Sequence, residues 1–204
     1  MNKKNTRRTK DTFIKILICF FSFITLGTLV CIICYIVFKG AGYISWDFIA
    51  TVNKPSEGLN GIFPMIVSTL YMVAVTILIS TPIGVFTGVY LVEYSKPGKV
   101  LNIIRFSIET LSGIPSIIYG LFGFLFFVTF MQLGFSLLSG ALTLSIMVLP
   151  TIIRTTEEAL KSVPVSYREG SLALGASKLT TTIRVVLPCA IPGILTSVVL
   201  SIGR

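Results

Sequence analysis

The chain has 204 residues, 53% hydrophobic and 12% charged, with 17 Lys and Arg against 8 Asp and Glu and no histidine. A soluble globular domain carries about 25% charged residues, so this balance excludes that class and points to a polytopic, all-α membrane protein. The net charge of +9 does not mark a nucleic-acid binder: Lys3, Lys4, Arg7, Arg8, Lys10 and Lys15 precede an apolar run, and no basic face with interleaved aromatics follows.

In chain order, residues 1–15 form a basic tail, +5 once Asp11 is counted, the signature of a segment kept on the cytoplasmic side. Residues 16–38 carry no charge and span roughly 30 Å of hydrocarbon as a helix. This is read as a retained first span, with a cleaved signal peptide as the alternative. Residues 39–61 balance Lys39 and Lys54 against Asp47 and Glu57, and Tyr43 and Trp46 suit a far interface. Cys31 and Cys34 make a CxxC, but with Cys19 and Cys189 they lie in apolar surroundings. They read as buried small side chains rather than a redox or metal set.

A second uncharged run, 62–92, exceeds one perpendicular crossing, and tilt or a break at Pro82 would absorb the excess. Along it Ser68, Thr76, Ser80, Gly84 and Gly88 recur at multiples of four, a face of small residues on which another helix backbone can close. Residues 93–109 read as a polar inner loop of +1 with a turn at Pro97-Gly98. A third span, 110–133, is interrupted at Gly113-Ile114-Pro115-Ser116, where the proline frees a carbonyl that protein or a wet cavity must satisfy. Ser116 and Tyr119 are therefore candidates for lining a substrate path, against a plain packing kink. A tight outer turn at 134–135 leads to a fourth span ending near residue 153. Residues 154–184 follow as an inner segment of +2. After Pro188 only 16 residues remain, about 24 Å of helix, a partial fifth span ending at Arg204.

The inner segment holds the chain's organising stretch, 166–188. Ser166 and Glu169 have capping-box spacing, and Pro164 clears away any earlier helix. Gly175 falls where a left-handed residue ends a helix of about two turns. Ser177 is placed to cap a second helix running to Pro188. The local chemistry alone also fits an amphipathic connector on the membrane surface. The spacing of Glu169, Gly175, Val185, Leu187 and Pro188 resembles the EAA loop of ABC importer permeases, with Gly170 and Ser171 in place of both alanines. Gly170 weakens the helix start by up to about 1 kcal/mol.

The resemblance extends to Gly61-Ile62-Phe63-Pro64, the Gly113 to Gly123 run, the Leu149 to Leu160 run and Leu187-Pro188-Cys189-Ala190-Ile191-Pro192-Gly193. These look like the A-type permease subunit of the Pst phosphate ABC importer, from about residue 61 onward. The likeness implies a plasma-membrane permease domain over 16–204, its C-terminal part missing, with residues 166–188 coupling to a cytoplasmic ATPase. It implies a second permease subunit, cytoplasmic ATP-binding subunits, an extracellular phosphate-binding protein and the lipid bilayer as partners. It also places Arg204 near an anion path, whereas as a terminal residue it could snorkel to the interface. ATP hydrolysis would belong to the partners, since the chain has no GxxxxGK loop, catalytic triad or His/Cys metal set, and no cofactor is expected. An importer for another oxyanion and a non-transport membrane scaffold are the alternatives.

Overall fold

The computed structural model describes residues 3–54 and 61–203, so Arg204 lies outside the described residues. The chain divides into two units, Met1–Met65 and Ile66–Arg204. In the first, helix α1 (Lys3–Gly40) joins the basic tail and the first span without a break, about 57 Å at 1.5 Å per residue. A 3₁₀ turn, Ala41–Tyr43, leads to α2 (Trp46–Ala50), where the Ser45 hydroxyl accepts from the Phe48 N–H at 3.1 Å. The Ile62 N–H donates to the Phe48 carbonyl at 2.9 Å and folds the connection back on α2.

The second unit is built around α6 (Leu137–Lys161), which buries more residues than any other element among the described residues. Helix α3 (Phe63–Val89) continues through Pro82 rather than breaking there, and ends in a wide π turn, Tyr90–Tyr94. Its buried residues are Thr76, Ser80, Gly84 and Gly88, the face of small residues expected from the spacing. That face lies on α6, where Thr76 donates to the Ala141 carbonyl and Ser145 donates to the Thr76 carbonyl. Both of these hydroxyls are buried, so each bond replaces water that a packed apolar interface excludes.

Residues 93–109 are not a loop. Helix α4 (Lys99–Ser112) buries Leu101 and packs Ile104 and Ile108 toward Leu91 and Ile153, while Val100, Ile103 and Phe106 stay exposed. The apolar positions recur at three and four residues, a helical period that net charge alone concealed. Beyond Gly113 the chain turns by 96° into α5 (Ser116–Gly123) and its π continuation Phe124–Phe130. Among the described residues four helices are long and apolar enough to cross a membrane, Ile14–Tyr43, Phe63–Tyr94, Leu137–Lys161 and Lys178–Ile202, with the bent pair a fifth if counted as one span. The protein is an all-α, multi-pass membrane bundle.

Two boundaries differ from the sequence reading. Helix α6 does not stop at residue 153 but continues through Arg154, Glu157 and Glu158 to Lys161, because these charges find partners alongside it. Pro188 does not end the second loop helix. Helix α8 (Lys178–Thr181), a π turn Thr182–Val186 and α9 (Leu187–Ile202) follow one another as 25 residues of helix, so the run after Pro188 is not a 16-residue stub. The proline ring would meet the carbonyl four residues back, at Arg184. That carbonyl belongs to the widened π turn, which gives the ring room. The four cysteines are free and exposed rather than buried.

Candidate functional site

The stretch 166–188 folds as a helix-turn-helix beside the polar end of α6. Helix α7 (Val165–Ala173) starts two residues earlier than a Ser166 cap would allow, with Pro164 at φ −55°, ψ 137° as its N-cap and no side-chain cap bond. The capping box between Ser166 and Glu169 is therefore not formed, because proline has already set the entry geometry. Its C-terminus follows the expectation. Gly175 has φ +83°, and the N–H groups of Gly175 and Ala176 donate to the carbonyls of Leu172 (2.9 Å) and Ser171 (3.2 Å). These are the two bonds of a Schellman motif. Ser177 then caps α8, its hydroxyl accepting from the Thr180 N–H at 3.2 Å.

The sequence-derived residues sort into two groups. Glu169, Gly170, Gly175 and Pro188 are exposed, and Glu169 has no hydrogen-bond or ion-pair partner among the described residues. Ser171 and Leu187 are half-buried, and the Ser171 hydroxyl bonds that of Thr181 at 2.9 Å, tying α7 to α8. Of the path candidates, Ser116 is exposed at the first turn of α5. Tyr119 is buried, and its hydroxyl donates to the Leu111 carbonyl at 2.8 Å. Leu111 lies four residues before Pro115, and its carbonyl also accepts from the Ile114 N–H at 3.1 Å, so Tyr119 adds a second donor to a carbonyl already engaged in the turn.

Sequence reasoning missed three features. The outer face of the loop is apolar, with Val165, Tyr167, Leu172, Leu179 and Ile183 exposed and Leu174 91% so. Large apolar side chains in a polar inner segment were the available signal. Beneath the loop, Arg168 donates from Nε (3.0 Å) and Nη2 (2.8 Å) to Oε1 of Glu93, and from Nη1 and Nη2 to the carbonyls of Val163 and Leu160, both at 2.8 Å. The ammonium of Lys178 stands 5.2 Å from the centroid of the Tyr94 ring, in the same π turn as Glu93. Third, the buried carboxylate of Glu157 takes Lys161 at 2.8 Å and Arg105 of α4 at 3.1 Å. Arg154 meanwhile links Glu109 (3.4 Å) to Glu158 (3.9 Å). No spacing rule links partners 45 to 75 residues apart.

Under these charges lies a packed apolar base. Leu160 and Val186 are fully buried with Val163, Ala159 and Ala190, and Val89, Val92 and Ile194 close around them. The loop is thus carried on a rigid junction of α3, α6 and α9, with an apolar outer face and an unpartnered carboxylate. Residues 80–204, the whole of this junction from the middle of α3 onward, match the family model of the binding-protein-dependent transport system inner membrane component. The chain belongs to that family. Among curated relatives of this permease family, it is 41% identical over 170 residues to the probable ABC transporter permease protein YqgI of Bacillus subtilis, covering 83% of this chain and 58% of the relative. Over 150 residues it is 37% identical to the phosphate transport system permease protein PstA 1 of Mycobacterium tuberculosis H37Rv, covering 74% and 48%. With the PstA homolog of Mycoplasma pneumoniae it shares 42% over 145 residues, covering 68% and 22%. The chain spans about half the length of the first two of these relatives.

Proposed function

We propose that this chain is a membrane-spanning permease subunit of an ATP-driven importer of inorganic phosphate, forming half of a translocation path with a second permease subunit. The α7–α8 turn docks into cytoplasmic ATP-binding subunits, which hydrolyse ATP, and an extracellular phosphate-binding protein delivers the solute from the other side. The observation that carries this reading is the exposure of Leu172, Leu174 and Leu179, with Glu169 also exposed and unpartnered, on the turn held by the α3–α6–α9 junction. Leu174, 91% exposed, gains about 1.5–3 kcal/mol when fully covered, and the part-covered Leu172 and Leu179 gain less; a partner cleft supplies this and water does not. The names of the PstA relatives support phosphate as the solute. In orientation, the N-terminus and the α7–α8 turn face the cytoplasm, in keeping with +5 on residues 1–15 and +2 on residues 154–184. Ser116 lines the solute path near the bend, and Tyr119 holds that bend.

The test is ATP hydrolysis by the assembled transporter in vesicles. Phosphate with its binding protein should stimulate hydrolysis, while sulfate and molybdate should not. Stimulation by sulfate or molybdate instead would reassign the solute to another oxyanion. No ATPase subunit in the purified complex would favour a membrane scaffold.

A further inference from the structure

We propose that Arg168 is a positioning residue, the joint through which movement of α7 reaches α3 by way of Glu93. This rests on the coupling role proposed for the α7–α8 turn and adds to it a route for the motion. Helix α7 buries no residue, so its attachment depends on a few polar contacts. Ser171 ties it to α8, and the chain itself continues through α8 into α9. A push on α7 passed only along the backbone would therefore reach α9 and, through residues 162–164, α6, but not α3.

Arg168 supplies the second connection. Its guanidinium makes four hydrogen bonds to two other parts of the bundle, two to Glu93 at the end of α3 and two to the carbonyls of Leu160 and Val163 where α6 ends. The pair is sheltered, with the side chains of Arg168 and Glu93 19% and 9% exposed, so water screens it little. The planar fork fixes angle as well as distance, which a lysine cannot do. Lys178 on Tyr94 adds a contact from α8 to the same π turn. A π turn is one residue wider than an α turn and marks a place where a helix can shift register. The carboxylate that Arg168 holds sits in that turn, at the end of the face of small residues on which α3 meets α6. A displaced α7 thus pulls directly on α3 as well as on the end of α6 and, through α8, on α9.

The decisive variant is Arg168→Gln combined with Glu93→Gln, which removes both charges and so leaves neither stranded in a sheltered site. In the assembled transporter, ATPase subunits should still copurify and the inserted amount should match the wild type. Phosphate moved per ATP hydrolysed should fall at least tenfold. Arg168→Lys should fall between wild type and the double variant. Each single glutamine variant should lose as much coupling as the double, because the two residues act as one unit. An unchanged ratio with ATPase still bound would overturn the joint while leaving the docking role standing. Loss of the ATPase from the double variant would make Arg168 a docking residue instead. Loss of inserted protein in the double and lysine variants alike would make it a structural one. Leu174→Asp serves as the separate arm, since ATPase that stays bound to it would count against the docking role itself.

Discussion

Gly175 occupies a backbone conformation, φ +83°, that costs a non-glycine residue about 1–3 kcal/mol and a β-branched residue more. Space is not the issue, because a Cβ there would meet nothing within 4 Å. Gly175→Val should therefore redirect α8 relative to α7 and abolish most uptake while the chain still inserts. Glu169→Gln should leave stability within about 0.5 kcal/mol, since the carboxylate is exposed and unpartnered, and should act on docking alone. Uptake assays alongside quantified membrane insertion compare the two, and near-normal transport by Gly175→Val would count against the turn geometry mattering. The positive φ was legible in the sequence because a glycine six residues after Glu169 had only one local use. The Ser166 cap was misjudged because Pro164 starts the helix itself, and the Arg168–Glu93 pair was illegible because its partners are 75 residues apart.

Helices α3 and α6 approach through glycines, and here the effect of substitution is steric. A Cβ on Gly84 would stand 2.6 Å from Cγ2 of Ile152, and one on Gly88 2.8 Å from Cγ2 of Thr156 and 3.3 Å from the Ile153 carbonyl oxygen. Gly88→Leu should force the helices apart and destabilise the bundle by about 1–3 kcal/mol, the usual cost of overpacking. Gly170→Ala is the matched control, because α7 has open space there and alanine gains about 0.5–1 kcal/mol of helix stability. Thermal unfolding in detergent should move in opposite directions for the two, and a Gly88→Leu transition at the wild-type temperature would refute the close contact. This face was readable from the four-residue repeat of small side chains. Helix α4 was not recognised because three cations and two carboxylates suggested a loop, although its apolar residues keep a helical period. The continuation of α6 past residue 153 was hidden for a similar reason, since Arg154, Glu157 and Lys161 are satisfied by partners on α4 and on α6 itself.

For the molecule as a whole, composition identified a membrane bundle, and the loop spacing identified the left-handed turn at Gly175. What the sequence could not supply was the exposure itself: Leu172, Leu174 and Leu179 all stay exposed on either side of the left-handed turn at Gly175 that joins α7 to α8. Orientation and docking are tested together by a single thiol at Leu174 in a version lacking Cys19, Cys31, Cys34 and Cys189, with a thiol at Asn53 as the opposite-side marker. An impermeant maleimide applied to intact cells should label Asn53→Cys and leave Leu174→Cys untouched. In inside-out vesicles Leu174→Cys should react readily, and added ATPase subunits should suppress the labelling. Labelling of Leu174→Cys on intact cells, or undiminished labelling in vesicles saturated with the ATPase subunits, would contradict a cytoplasmic ATPase-docking turn.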